Sequence, residues 1–159
     1  MTTPRETNGR PVLIAYDGSA HARAAVEHAG SLLRPGPAVV TCVWTSMLYS
    51  APAATLGAPA SVALAGAEKL DAAARERAER LAAEGAELAR RAGLEADSRA
   101  IEDERSAWHG IVRCAGELDA AVIVTGTRGR SAVTAAVLGS NAQGLLHHAH
   151  RPVLVVAGD

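Results

Sequence analysis

The sequence predicts an α/β fold: one open, mostly parallel sheet with helices on both faces. Three observations lead there. Short apolar runs rich in β-branched residues alternate with longer segments of helical period from one end of the chain to the other. Those runs carry almost no charge, as expected of strands covered on both faces. Several of them end in Gly, Ser or Asp, the turn-and-cap residues that open a following helix. Five strands separated by four helices, joined by right-handed crossovers, satisfy all three.

In sequence order, Met1 to Arg10 is polar, contains Pro4 and Gly9, and is expected to be a disordered lead-in, with one domain over residues 11–159. Pro11 to Tyr16 is the first strand. Asp17, Gly18 and Ser19 turn it into a helix from about Ala20 to Leu33, which Pro35, Gly36 and Pro37 end. Ala38 to Trp44 is the second strand, with Cys42 inside it as a small apolar residue. Ser46 to Gly66, interrupted by Pro52, Gly57 and Pro59, shows no clear period, and helix is expected to begin after Ser61. That helix runs to about Ala92, with Leu70, Ala74, Ala78, Leu81, Gly85, Leu88 and Ala92 as its apolar face and Gly93 as its stop. Its charged residues form the solvated side.

Leu94 to Ile101 alternates apolar and polar residues, the pattern of an edge strand with one open face. Ser106 caps a helix through Leu118 that turns Trp108, Ile111, Val112, Ala115 and Leu118 inward, with His109 at its rim. Ala121 to Val124 is the fourth strand, Asn141 to His150 the last helix, and Pro152 to Ala157 the fifth strand.

Composition narrows the function. With 159 residues the protein is one domain with room for a real core. Its 16 basic and 17 acidic residues leave a net charge of -1, which gives no footprint for nucleic acid. Cys42 and Cys114 stand far apart, in neither a CxxC nor a zinc spacing, so a reduced, cytoplasmic protein is expected. No stretch reaches the length of a membrane span, and the N-terminus lacks the apolar core of a signal peptide.

The chemistry concentrates where the fourth strand breaks into glycine. Gly126 and Gly129 bracket Thr127 and Arg128, and Gly139-Ser140 follows, giving the spacing Gly-x2-Gly-x9-Gly-Ser before a helix. Glycine lets backbone N–H groups approach an anion and permits left-handed turns. Ser140, read as the helix start, would turn its hydroxyl and the unpaired amides behind it outward with the positive end of the helix dipole. Arg128 and Arg130 add fork-shaped donors suited to phosphate oxygens. The plainer reading is a glycine-rich surface loop ahead of a capped helix.

In an open α/β sheet, ligands sit at the carboxyl ends of the strands where the strand order reverses. If strands one and four are neighbours, Asp17 faces the glycine loop across one crevice. There Asp17 could hold a ribose hydroxyl or the metal of a triphosphate; otherwise it is a helix-entry residue.

Familiar nucleotide motifs are missing. A Walker A loop requires Gly-Lys-Ser/Thr, and the one lysine, Lys69, lies within the long helix. The Gly-x-Gly-x-x-Gly fingerprint is missing after strand one, where Gly18 stands alone. Ser19 and Ser131 have no base and orienting acid beside them in sequence, so a hydrolase triad has no support. His147, His148 and His150 cluster late in the last helix, where cations are ordinary; no metal ligands are assigned.

The glycine spacing, the preceding AVIVT, the closing HRPVLVVA and the opening VLIAYDGSAHARAAVEHA together closely resemble the ATP-binding branch of the universal stress protein family, over roughly Pro11 to Ala157. The resemblance implies a Rossmann-like sheet of order 3-2-1-4-5 and a homodimer formed largely through the last strand. It implies that Ala15 and Asp17 meet the adenine and ribose, and that the backbone of Val43 holds the adenine edge. Thr125, Gly126, Arg128 and Gly129 would line the ribose and phosphate path, with Arg130 beside them. Gly139, Ser140 and Asn141 would take the phosphates. The implied ligand is ATP, with Mg2+. Where many relatives have glycine and proline after strand three, this sequence has Glu102, Asp103, Glu104 and Arg105. Acidic side chains there either require a divalent cation or point away from the phosphates.

Three functions follow as expectations: a nucleotide-dependent regulatory module in stress response, a slow ATP hydrolase or adenylyl-transfer enzyme, or a partner-binding protein that has lost nucleotide. The sequence has no positioned base, no lysine for a γ-phosphate and no HIGH-type or SGGxDS-type signature, which disfavours the enzyme. The intact glycine spacing disfavours the third.

Overall fold

Parallel pairing of short apolar segments builds the centre of the molecule. The computed structural model describes residues 9–47, 59–128 and 138–158. Nine elements alternate through them: β1 (Val12–Ala15), α1 (Ala20–Leu32), β2 (Pro37–Trp44), α2 (Ala60–Arg91), β3 (Glu95–Glu102), α3 (Ala107–Glu117), β4 (Val122–Gly126), α4 (Ser140–His148) and β5 (Val153–Val156). The strands form one parallel sheet of order β3-β2-β1-β4-β5. β1 lies between β2 and β4, with Leu13 opposite Val39 on one side and Ile123 on the other. The order reverses beside β1, so the crevice expected of this architecture opens above the C-terminal ends of β1 and β4.

Strand alternation sorts the core into two layers. Val12, Ile14 and Tyr16 point to one face with Ala38 and Val40, covered by Ala25, Val26 and Ala29 of α1 and Ala86 and Ala89 of α2. Leu13, Ala15 and Ile123 point to the other, covered by Ile111, Cys114 and Ala115 of α3 and Leu145 of α4. Leu13, Ile14 and Ile123 are fully enclosed, each stabilising the fold by about 2 kcal/mol through apolar burial. Burial pushes the Cys114 thiol above its ordinary pKa.

Several expectations need correction. Leu70 is exposed; the face α2 buries is Ala78, Ala82, Ala86 and Ala89, with Leu81 and Leu88 against it. α2 begins at Ala60 and ends on Gly93, whose φ of 93° is the left-handed stop expected there. β4 extends through Thr125 and Gly126, and α4 ends at His148 rather than His150. Of the lead-in, residues 1–8 lie outside the described residues, while Arg10 is tied to Asp119 by a 2.7 Å ion pair. Among the described residues no helix is long and apolar enough to cross a membrane.

Candidate functional site

A cleft of about 680 Å³ opens at the carboxyl ends of β1, β2 and β4, a size suited to a small-molecule ligand. Ala15, Tyr16 and Asp17 reach it from β1 and its turn, and Thr41, Cys42 and Val43 from β2. Thr125, Gly126, Thr127 and Arg128 supply a third wall. Gly139, Ser140, Asn141 and Ala142 close the end at α4. Every sequence-predicted site residue that is described therefore lines the same cavity; Gly129 and Arg130 lie outside the described residues.

The β1–α1 turn is held by its own polar groups. Asp17 Oδ1 accepts from Ser19 N–H at 3.0 Å, and Ser19 Oγ caps α1 by accepting from Ala22 N–H at 3.1 Å. Gly18 makes the turn at φ 81°, a conformation that suits glycine. Behind it, Tyr16 O–H donates to Glu84 Oε1 at 2.6 Å, and an Arg23 N–H donates to the same oxygen at 2.6 Å. Burial, with the Glu84 carboxylate beside it, pushes the Tyr16 phenol well above its ordinary pKa. The pair ties α1, β1 and α2 together beneath one wall of the cleft.

The glycine loop departs from expectation at three points. Gly126 is a strand residue, and its bareness serves packing: a Cβ there would lie 2.8 Å from the carbonyl carbon and oxygen of His21 in α1. Gly139 does not present a free amide, since its N–H donates to Thr127 C=O at 2.8 Å and pinches the neck of the loop. Ser140 is not the cap but the first residue of α4; Gly139 holds the cap position, with no hydrogen bond from a side-chain group to the helix start. The residues lining this end are Arg128 and Ser140, Asn141 and Ala142 of the first turn of α4, where backbone amides have no partner within the helix. Asn141 contributes an acceptor, Oδ1, which is buried and has no hydrogen-bond partner among the described residues.

The acidic stretch after β3 points away from the cleft. Asp103 is buried and accepts from Arg105 N–H at 3.0 Å, Ser106 N–H at 3.2 Å and His109 Nδ1 at 2.8 Å. Burial alone would raise its pKa, but the hydrogen bonds from His109, Arg105 and Ser106 outweigh burial and hold it below the ordinary carboxylate value. Asp103 thus fixes the start of α3, and Ala107 and Ile111, one turn apart on that helix, present an apolar wall opposite Val43.

Sequence reasoning missed Tyr16, Ala22, Thr41, Cys42, Ala107, Ile111, Thr127 and Ala142 as lining residues. For Thr41 and Cys42 the signal was available, because they precede Val43 at the carboxyl end of a strand; for Ala107 and Ile111 nothing local marks which face of α3 meets the cleft. The histidine cluster takes a packing role in part. His148 stacks on Trp108 with ring centroids 4.6 Å apart, and Trp108 lies flat on Gly144, where a Cβ would come within 2.3 Å of the indole. No group of three or more metal-ligating side chains occurs among the described residues. A smaller groove of about 350 Å³ lies beside Trp44 between α2 and β3, where Arg75 and Glu79 of α2 pair with each other at 2.9 Å.

No curated protein sequence matches this one significantly. Solved structures share the fold at low identity. The universal stress protein of Lactobacillus plantarum is 17% identical with a TM-score of 0.71, covering 93% of this protein and 97% of its own length. A universal stress protein in complex with cAMP is 21% identical with a TM-score of 0.64, over 94% and 98% of the two proteins. The universal stress protein of Archaeoglobus fulgidus in complex with dAMP is 21% identical with a TM-score of 0.58, over 92% and 96%. The model of the universal stress protein family matches residues 9–157. That match spans β1 to β5, including both turns that border the cleft, and this protein belongs to the universal stress protein family.

Proposed function

We propose that this protein is a regulatory module in stress response, controlled by an adenine nucleotide bound in the cleft, with ATP and Mg2+ as the ligand. One observation carries the reading: Ala15, Asp17, Val43, Thr125, Arg128, Ser140 and Asn141, distant in sequence, meet around a single cavity of about 680 Å³. In this reading Val43 and Ala15 hold the base, Asp17 and Thr125 the ribose, and Arg128 with the first turn of α4 the phosphates. Gly126 and Gly139 shape the path, and Gly129 and Arg130 complete the loop. The donor set fits a phosphate chain, because a guanidinium and the amides of a helix start are all donors at the positive end of a dipole. Asp17 and Ser140 offer the hard oxygen ligands that Mg2+ takes. Relatives solved with cAMP and with dAMP support the adenine nucleoside monophosphate as the shared ligand chemistry.

The two edges of the sheet support a homodimer through β5. β3 carries Glu95, Asp97, Arg99 and Glu102, charges that deter strand pairing, while β5 offers Val153, Leu154 and Val155, half-buried and apolar. Nucleotide binding would bias that dimer or a surface near the cleft for a partner to read.

The test is the ligand content of gently purified protein. Mass spectrometry after denaturation is expected to release ATP or AMP, and calorimetry of the emptied protein to show binding of ATP. Absence of nucleotide together with no heat for ATP, ADP or AMP would refute the reading and favour a partner-binding protein that does without nucleotide.

A further inference from the structure

Two glycines at the ends of neighbouring strands are bare for the same residue, His21, the second residue of α1. At Gly126, the end of β4, a Cβ would lie 2.8 Å from the carbonyl carbon and oxygen of His21. At Gly158, just past β5, a Cβ would lie 2.5 Å from His21 Nδ1. Gly126 is in register with Val156, so both contacts fall at one place, the C-terminal end of the β4–β5 pair. There the Gly158 N–H donates to His21 Nδ1 at 3.1 Å. That bond requires a ring with its proton on Nε2, because Nδ1 can accept only while it carries none. A second proton would go to Nδ1 and set a donor against a donor.

The surroundings of His21 also oppose a charge on the ring. It would stand at the positive end of the α1 dipole. β4 and β5 bring no ionisable side chain, from Val122 to Thr127 or from Val153 to Gly158. Asp17, in the turn ahead of α1, accepts from Ser19 N–H, and Arg128 follows the end of β4. On the α2 side Glu84 pairs with Arg23 and Glu87 with Arg90. Further along α1, Glu27 and His28 are exposed. The strand end that His21 holds is tied to the cleft: Thr127 N–H donates to Val156 C=O at 2.9 Å, Thr127 C=O accepts from Gly139 N–H at 2.8 Å, and Thr127 lines the cavity.

We infer that His21 is a pH-sensitive latch at the rim of the cleft: with Nδ1 unprotonated it holds the end of β5 against α1, and a proton taken from water onto Nδ1 releases it. Histidine is the side chain suited to such a change between about pH 5 and 8. Released, Gly158 no longer braces Val156, which holds Thr127 at the neck of the glycine loop. The latch belongs to the protein without ligand, so it stands or falls apart from the nucleotide reading.

Nuclear magnetic resonance of the ligand-free, isotope-labelled protein between pH 8 and pH 5 tests it. At pH 8 the His21 ring is expected to carry its proton on Nε2 alone, with the Gly158 amide as ordered as the sheet, an order parameter of about 0.85. On acidification the ring should gain its second proton, and with the same midpoint the Gly158 amide should shift and its order parameter fall to about 0.6 or below. His21→Asn places a carbonyl oxygen near the position of Nδ1 and cannot titrate, so Gly158 should stay ordered at both ends of the range. His21→Ala removes the acceptor while keeping a good helix former, and Gly158 should lack order at both ends. A proton on Nδ1 at pH 8, a ring that does not titrate in this range, or a Gly158 amide that stays fixed while the ring titrates overturns the inference on the wild-type protein alone. So does a Gly158 transition that survives in His21→Asn, or order that survives in His21→Ala. A change that spreads to the amides of Leu13 and Ile14 in β1 is unfolding rather than release of a latch, and overturns it as well.

Discussion

Two helix starts border the cleft and are built in opposite ways. α1 opens on a turn capped by its own side chains: Asp17 Oδ1 accepts from Ser19 N–H, and Ser19 Oγ accepts from Ala22 N–H. α4 opens on Gly139, with no side-chain cap, its loop closed by the Gly139 N–H to Thr127 C=O bond, and with Asn141 Oδ1, one residue into the helix, buried and unpartnered among the described residues. A start that satisfies itself is a joint; a start left open addresses something outside the protein. α3 is a third case on the side of α1, since Ser106 Oγ caps it by accepting from His109 N–H, and Asp103 accepts from the Arg105 and Ser106 amides just ahead of it.

Breaking the self-satisfied kind should have the largest effect. Asp103→Ala removes the acceptor of two backbone amides and of His109 at a buried position, and is expected to lower stability by about 3 kcal/mol in urea denaturation. The same group sets a pH dependence. Its folded-state pKa lies below the unfolded one, so its contribution is fully present above the unfolded value and is lost as pH falls through the folded one. The stability difference between wild type and Asp103→Ala should therefore shrink on acidification below the ordinary carboxylate range. A difference that stays constant through that acidification would remove Asp103 from the account of α3.

Gly126 comes next and sharpens the contrast, because it belongs to the glycine motif yet acts on the joint side. A methyl group there meets the backbone of His21, which cannot turn aside as a flexible side chain would. Gly126→Ala is expected to cost about 2 kcal/mol and to lower Tm by roughly 4–8 °C at this length. An unchanged Tm with weakened nucleotide binding would return Gly126 to the ligand.

The sequence was legible where cause and effect are close along it. Asp17-Gly18-Ser19 announces a strand end, a turn and a cap within three residues, and all three are present. The alternation of strand and helix was equally plain, since period and composition are local. The strand order came from the family resemblance, not from any residue. What failed was non-local. Leu70 keeps helical register with Ala74 and Ala78, but α2 is 32 residues long, about 48 Å. β2 and β3 have 8 residues each, about 26 Å. The first turns of α2 therefore lack a sheet to bury Leu70. Gly126 and Gly139 were both read as opening amides to an anion. One is bare for the approach of α1 and the other spends its N–H on Thr127, partners 105 and 12 residues away that no local pattern names.

The smallest effect separates the two serines that the sequence treats alike, each following a glycine at a helix start. Ser19 caps α1, and Ser19→Ala is expected to cost about 1 kcal/mol of stability and to leave nucleotide affinity within a factor of about two, because its hydroxyl is occupied inside the turn. Ser140 is the first helical residue of α4, exposed, and makes no capping bond. Ser140→Ala should leave the urea midpoint unchanged, since no cap is lost and alanine is the better helix former. Its effect should appear in calorimetry, as a three- to tenfold weaker binding of ATP, roughly one hydrogen bond to a phosphate oxygen. Equal stability losses in the two variants would mean that α4 is a joint like α1, and the open helix start would lose its claim on the ligand.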